Sequence, residues 1–219
     1  RELRQQVGTN HSGVINIGLD LMPTTTDKES DCVMENHSTA YQTISTEVEL
    51  NDWLTRLKLA PLVSIDTETT SLNPMQARLV GISFCIEPRQ AAYLPLMHSY
   101  AGAPQQLSID WVLTQLKPWL EDSTQPKLGQ NLKYDKHIFA NHGISLKGIA
   151  HDTLLQSYIL ESHRPHNMDN MALRHLDIKT ISYDDVTGKG VNRIGFDEVA
   201  IETATRYAAE DADITLRLH

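Results

Sequence analysis

Leu62-Val63-Ser64-Ile65-Asp66-Thr67-Glu68 is an apolar run of strand length, set off by Pro61, that ends in two carboxylates two residues apart. On a strand, positions two apart project to the same face, so Asp66 and Glu68 can meet at one point in space. Like charges held that close repel unless a cation lies between them, and carboxylate oxygens select hard ions such as Mg²⁺ or Mn²⁺. An Asp-x-Glu at a strand end also occurs in plain solvated turns, so the pair takes its meaning from the sequence around it.

Working outward, strands are predicted at Leu79 to Ile86 and Ala91 to Leu94, separated by the turn residues Asn73, Pro74, Glu87 and Pro88. Three consecutive strands suggest a meander. The pattern then changes to a helix from Ser108 to Leu120, a short strand Lys127 to Gly129, a helix from Asn131 to Asn141 and a brief strand near Ile149. Further helices are predicted at Thr153 to Leu160, Met168 to Leu176 and Asp197 to Leu218. Strands followed by alternating helices and strands indicate an α/β fold, a mixed sheet flanked by helices. Upstream, Leu50, Trp53, Leu54 and Leu57 recur at helical spacing and mark a boundary helix. Residues 1–40 are rich in Thr, Asn, Ser and Gly and read as a linker or tail, with a short strand around Val14 to Leu19 as the alternative. The folded domain is expected to occupy residues 41–219.

The 219 residues carry a net charge of -9 with 40% hydrophobic content, enough apolar material for a real core. The acidity argues against a broad basic face for nucleic acid and against binding to a membrane surface. No apolar run approaches the roughly 20 residues that span a bilayer, and the amino terminus lacks a signal pattern, so a cytoplasmic protein is expected. Cys32 and Cys85 form neither a disulfide framework nor a zinc cluster, and the ten histidines have no metal-site spacing.

Two further segments bear on the carboxylate pair. Gly129-Gln130-Asn131-Leu132-Lys133-Tyr134-Asp135 follows a short strand and places Asn131 and Asp135 four apart at the start of a helix, although Asn131 can also serve merely as its cap. Tyr207-Ala208-Ala209-Glu210-Asp211 puts a phenol and a carboxylate one turn apart on the last helix, which can also be an ordinary half-buried contact. Ala200, Ala204 and Ala208 would let that helix lie close against the sheet.

Asp-x-Glu on a first strand, then Asn-x-x-x-Asp with Tyr134 before the aspartate, then Tyr-x-x-x-Asp, in that order, resembles the three motifs of the DEDD-type 3′-5′ exonucleases in the variant with tyrosine. Ser64 to Thr69, Leu79 to Phe84, Gly129 to Asp135 and Arg206 to Asp213 are similar to the proofreading domain of bacterial DNA polymerase I, and the likeness runs from about Tyr41 to His219. The resemblance implies a ribonuclease H-like fold with a five-stranded mixed sheet. It implies two divalent metal ions, Mg²⁺ or Mn²⁺, with Asp66, Glu68 and Asp211 holding the first, Asp66 bridging to the second, and Asp135 reaching that second ion largely through water. Tyr207 would orient the attacking water, and nucleoside 5′-monophosphates would leave one at a time from a single-stranded or frayed DNA 3′ end.

Leu72 matches the family's apolar wedge beside the terminal base, with a plain core leucine as the other reading. Tyr183 matches an aromatic position near the bound strand, where Phe is more usual. Gln130 and Asn131 match positions near the substrate, or act as local hydrogen-bond partners. Asp152, Glu210 and Asp213 are read as structural or solvent-facing. The resemblance further implies a polymerase domain following this one, a monomer, and no membrane partner. His163 to Met168 and Lys189 to Arg193 depart from the family pattern in loops able to contact DNA. The enzymatic rival is an exoribonuclease of the ribonuclease D type, and the non-enzymatic one a scaffold domain that has lost its carboxylates. All four carboxylates and the tyrosine are present here.

The acidity divides unevenly. Residues 1–60 carry a net -4 and residues 61–219 a net -5, and the four expected metal ligands supply four of the latter charges.

Overall fold

A computed structural model describes residues 39–219. Most of the stretch read as a tail, the alternative strand around Val14 to Leu19, and Cys32 lie outside the described residues. The described chain forms one six-stranded sheet in the order β1-β4-β3-β2-β5-β6. Its strands are β1 (Ala40–Thr43), β2 (Val63–Thr69), β3 (Leu79–Glu87), β4 (Gln90–Pro95), β5 (Lys127–Gly129) and β6 (Ile149–Asp152). β2, β3 and β4 form the expected antiparallel meander, and the remaining pairings, β1 with β4, β2 with β5 and β5 with β6, are parallel.

The sheet has one strand more than the five implied by the family resemblance. β1 starts at Ala40, inside the stretch read as tail, and a four-residue segment with half its side chains exposed gives almost no apolar alternation to read. Its place is fixed from elsewhere. The Tyr41 hydroxyl donates to Asp213 at 2.9 Å, and the same carboxylate accepts from the Arg89 backbone N–H at 2.7 Å. Asp213 is fully buried and paired with Arg217, a structural role that matches its reading from sequence.

The two faces of the sheet carry different chemistry. Val63, Ile65, Ile82, Phe84, Ala92 and Leu94 point to one side, where they form the main core with α1 (Glu47–Leu59), α2 (Ile109–Leu120) and α3 (Leu132–Asn141). α1 begins with a capping box, Thr46 accepting from the Glu49 backbone and Glu49 from that of Thr46, which satisfies two of the otherwise unpaired N–H groups of its first turn. The opposite face is lined by small residues, Ser64, Gly81, Ser83 and Cys85, and is covered by α7 (Ile201–Leu218) through Ala204, Ala208, Ala209 and Ala212. Small side chains on both surfaces let helix and sheet approach closely. Ala200 differs from expectation: it is exposed and precedes the helix, because a 3₁₀ turn at Phe196–Glu198 replaces the first turn predicted from Asp197.

Between β6 and α7 the chain runs through α4 (Thr153–Leu160), α5 (Met168–Met171) with a π-helical continuation to Leu176, and α6 (Tyr183–Thr187). No described helix is long and apolar enough to cross a membrane.

Candidate active site

β2 pairs with β5 only at Val63 and Ser64, so its carboxyl half is unpaired on that side and opens toward the start of α3. Asp66 and Glu68 leave β2 on the face beneath α7, and α7 sets Asp211 opposite them. One carboxylate oxygen from each of Asp66, Glu68 and Asp211 lies within 4.8 Å of the others, the one such cluster among the described residues. Glu68 and Asp211 are each 7% exposed, while Asp66 keeps an opening to solvent.

Asp135 comes from the first turn of α3 and is 2% exposed. It lies outside the three-carboxylate cluster but close enough to Asp66 to raise that group's pKa. Its position is held by the intervening residue of the strand: the Thr67 hydroxyl donates to Asp135 Oδ1 at 2.6 Å.

The electrostatics follow from burial. All four carboxyls are pushed above the usual carboxylate range, first by loss of solvent. The next cause is Asp135 for Asp66, and Asp66 for both Glu68 and Asp211. Asp135 is pushed up to about 7. Glu68 Oε1 and Asp211 Oδ1 are buried without any hydrogen-bond partner. Unsatisfied buried acceptors are costly and rare. Oxygen-only donors that converge within 4.8 Å, two of their buried oxygens without a protein partner, fit a hard divalent cation.

Tyr207 stands one turn before Asp211 on α7. Burial, and then the negative charges of Asp211 and Glu68, hold its phenol protonated far above the ordinary tyrosine value. Its ring packs beside Phe196 and Tyr183, with centroids 5.8 and 6.2 Å away, and Tyr183 stacks on Phe196 at 6.1 Å. Tyr183 is 39% exposed, and the Arg193 guanidinium lies over its ring, 5.8 Å from the centroid. Arg193 closes the Lys189 to Arg193 stretch noted in the sequence, whereas Phe196 is not among the residues the sequence singles out. A lone phenylalanine in a loop gives no signal until the fold brings it under two tyrosines.

The remaining sequence-predicted residues separate. Leu72 is 95% exposed in the loop after β2, which excludes the core reading. That loop is tied to α3 because the Tyr134 hydroxyl reaches both Thr69 and the Ser71 carbonyl. Asn131 is not on the same helical face as Asp135. It sits before the helix in the left-handed region, with φ 63°, and its side chain makes no capping bond. Asp152 does the capping instead, accepting from the backbone N–H of Asn131 and Leu132 and also from Leu154 and Leu155 at the start of α4. Gln130 spends its amide inside the protein, donating to the His166 carbonyl at 3.0 Å and accepting from the Thr153 hydroxyl. Glu210 accepts from the Ile181 backbone at 2.6 Å, a structural contact that matches its reading.

Residues 41–219 match a family model described as 3′-5′ exonuclease, of the A-type DNA polymerases. The chain is 48% identical over 182 residues to DNA polymerase I of Pseudomonas aeruginosa, an alignment covering 82% of this chain and 20% of the relative. It is 41% identical over 201 residues to DNA polymerase I of Rhizobium leguminosarum, with 84% and 20% covered. The chain therefore spans about one fifth of the length of these curated relatives. Among solved structures, Trypanosoma brucei RNase D in complex with RNA U12 superposes with a TM-score of 0.64 at 16% identity, over 82% of this chain and 62% of that one. The POL domain of Pol1 from M. smegmatis, in complex with DNA primer-template and dNTP, gives 0.61 at 18% identity, over 81% and 26%. These two likenesses establish a shared fold. The family match over residues 41–219, with the carboxylate cluster inside it, places the chain in the 3′-5′ exonuclease family of A-type DNA polymerases.

Proposed function

We propose that residues 41–219 trim DNA one nucleotide at a time from a single-stranded or frayed 3′ end, as the proofreading part of a DNA polymerase I, releasing nucleoside 5′-monophosphates. The observation that carries this reading is the convergence of Asp66, Glu68 and Asp211 within 4.8 Å, with buried carboxylate oxygens left unpartnered. Asp66, Glu68 and Asp211 would hold one divalent ion, Asp66 would be shared with a second, and Asp135 would stand behind that second ion. Two Mg²⁺ or Mn²⁺ ions would supply Lewis-acid stabilisation to the attacking and leaving oxygens of an in-line displacement at phosphorus.

The chain's own groups do the positioning. Burial and the neighbouring carboxylates hold the Tyr207 phenol in its protonated form, so it would orient the attacking water by hydrogen bonding rather than act as the base. Leu72, exposed on a tethered loop, would press against the terminal base, and Tyr183 would offer a stacking surface to the strand. Asn131, with a free side chain at the mouth of α3, would contact the sugar or phosphate. Gln130 would act through the His166 loop that it holds. A frayed end is preferred because a paired terminus must first be unstacked, at a cost of a few kcal/mol.

The sugar preference is tested with matched DNA and RNA oligonucleotides labelled at their 5′ ends. DNA is expected to shorten faster, with deoxynucleoside 5′-monophosphates as products. Equal or faster shortening of RNA would overturn the proofreading reading in favour of an exoribonuclease.

A further inference from the structure

α7 enters the fold without a cap of its own. Ala200 precedes it and offers no side-chain oxygen to the free N–H groups of the first turn. The loop after β4 holds that end instead, through three consecutive residues. The Ser99 backbone N–H donates to the Asp197 carbonyl at 2.7 Å, and its hydroxyl donates to the Asp197 carboxylate at 3.0 Å. The Tyr100 hydroxyl accepts from the Ile201 N–H over a long 3.4 Å. His98, 5% exposed, is bonded through both ring nitrogens, Nδ1 to the Val199 carbonyl and Nε2 to the Tyr93 hydroxyl, each at 2.9 Å. Its own backbone is closed by the Gln106 amide, which accepts from the His98 N–H at 2.8 Å and donates to the His98 carbonyl at 2.9 Å.

The partners of His98 fix its tautomer. A carbonyl can only accept, so the proton sits on Nδ1, and burial lowers the imidazole pKa and favours the neutral ring. Nε2 is then an acceptor, and the Tyr93 hydroxyl donates to it. The imidazole thus joins two parts of the site. On the sheet side, Tyr93 is fully buried against Gly81, which pairs with Glu68. On the helix side, Val199 leads into α7, and the His98 ring lies 6.0 Å from that of Phe196, itself 5.8 Å from that of Tyr207. Along its length α7 meets the sheet through alanines, whose shallow ridges interlock little, so polar fixings decide its axial position. One is Asp213, two residues past Asp211, held by Tyr41 and the Arg89 N–H. The other is His98, at the end that leads to Tyr207. We infer that His98 is a positioning residue for Tyr207: it sets where the start of α7 lies against the sheet and, through Phe196, where the phenol stands. The inference rests on reading Tyr207 as the group that orients the attacking water. Because Asp211 is secured from the far side by Asp213, loss of His98 should fall on turnover and leave metal binding as it is.

The test is kcat for shortening of 5′-labelled single-stranded DNA by the 219-residue chain at saturating Mn²⁺, with the fold of each variant checked by circular dichroism. His98→Phe keeps a ring among Tyr93, Tyr100 and Phe196 and removes both bonds. Since a misplacement of about 1 Å can cost on the order of a hundredfold in rate, kcat is expected to fall by about tenfold or more. The Mn²⁺ concentration for half-maximal activity should not change. His98→Asn, whose amide nitrogen can take the place of Nδ1, should recover part of the loss. In a Tyr207→Phe background His98→Phe should cost less than about twofold, because groups that act as a unit are not additive. Tyr93→Phe, which keeps the ring and removes only the donor to Nε2, makes the same comparison where His98→Phe does not fold. Loss by the same factor in both backgrounds would overturn the inference. So would wild-type kcat in His98→Phe or, where that variant does not fold, in Tyr93→Phe, and so would a raised Mn²⁺ requirement or wild-type kcat in Tyr207→Phe. With an active wild-type chain, any of these results rejects the role of His98 alone; a wild-type chain without nuclease activity removes the proposed function and this inference together.

Discussion

Thr67 and Asp135 are joined across 68 positions of sequence by a 2.6 Å hydrogen bond, which ties the strand carrying Asp66 and Glu68 to the helix carrying the fourth carboxylate. The two sets of acidic groups come from opposite sides of the sheet, so this bond fixes how far apart they stand. Partners that orient metal ligands typically matter by 10–100-fold in affinity or activity. Thr67→Val is therefore expected to raise the Mn²⁺ concentration for half-maximal nuclease activity by about tenfold. Thr67→Ser, which keeps the hydroxyl, should restore it. Unchanged metal dependence in Thr67→Val would remove this role.

The raised carboxyl pKa values have a consequence for stability in EDTA. A carboxyl whose folded-state pKa exceeds its unfolded value stabilises the fold fully below the unfolded pKa, about 4, and loses that contribution as pH rises. For Asp135 the loss runs up to about 7. Stability of the metal-free protein should thus decline between pH 5 and pH 8. Adding Mg²⁺ or Mn²⁺ should recover it at pH 8 and do little at pH 5. Asp135→Asn should flatten the decline and raise the metal-free Tm at pH 8, by 2–4 °C for each kcal/mol or so of relieved charge burial, since about that shift applies to a domain of this size. Parallel Tm profiles for the wild type and Asp135→Asn would count against the electrostatic account.

Asp152 serves two helices at once, through four backbone N–H groups. Losing a single N-cap costs about 1 kcal/mol. Asp152→Ala should therefore cost about 2 kcal/mol, lowering Tm by about 4–8 °C. Because Asn131 and Leu132 lead directly into Asp135, the same variant should also weaken activity at temperatures where it remains folded. Thermal denaturation followed by circular dichroism, with parallel nuclease assays, checks both parts.

Gly81 lies opposite Glu68 in the ladder, and the Tyr93 ring occupies the space a side chain would need: an added Cβ would meet the Tyr93 hydroxyl at 2.1 Å. Tyr93 cannot move away freely, because its hydroxyl is bonded to His98 Nε2 at 2.9 Å and it is fully buried. Gly81→Ala should destabilise by about 1–3 kcal/mol, as overpacking does. Urea denaturation measures this, and Tyr93→Ala in the same chain should relieve part of it.

The sequence was legible where chemistry and spacing coincide. Asp66 and Glu68 share a face because strand periodicity is two, and Tyr207 with Asp211 because helix periodicity places i and i+4 together; these pairs could be read directly. The meander and the main helices were legible for the same reason. What the sequence hid depends on long-range contact. β1 is short and half exposed, and is held by a buried aspartate 172 positions away from Tyr41. Asn131 looked like a cap or a member of the helix, but the cap comes from Asp152, 21 residues further on. Leu72 carried no mark to distinguish a core leucine from an exposed one, since a single apolar residue in a turn-rich loop has no period. Phe196, under Tyr183 and Tyr207, emerges only when α6 and α7 are packed together.

The most direct test of the carboxylate site is the digestion of 5′-labelled single-stranded DNA by the 219-residue chain with Mg²⁺ or Mn²⁺, beside EDTA and beside an Asp135→Ala variant. The account predicts a ladder that shortens from the 3′ end in single-nucleotide steps, abolished by EDTA and reduced at least a hundredfold by the substitution, on the order of the upper end of effects seen for groups around a metal site. An Asp135→Ala protein that cuts as well as the wild type, or a ladder that persists in EDTA, would contradict it.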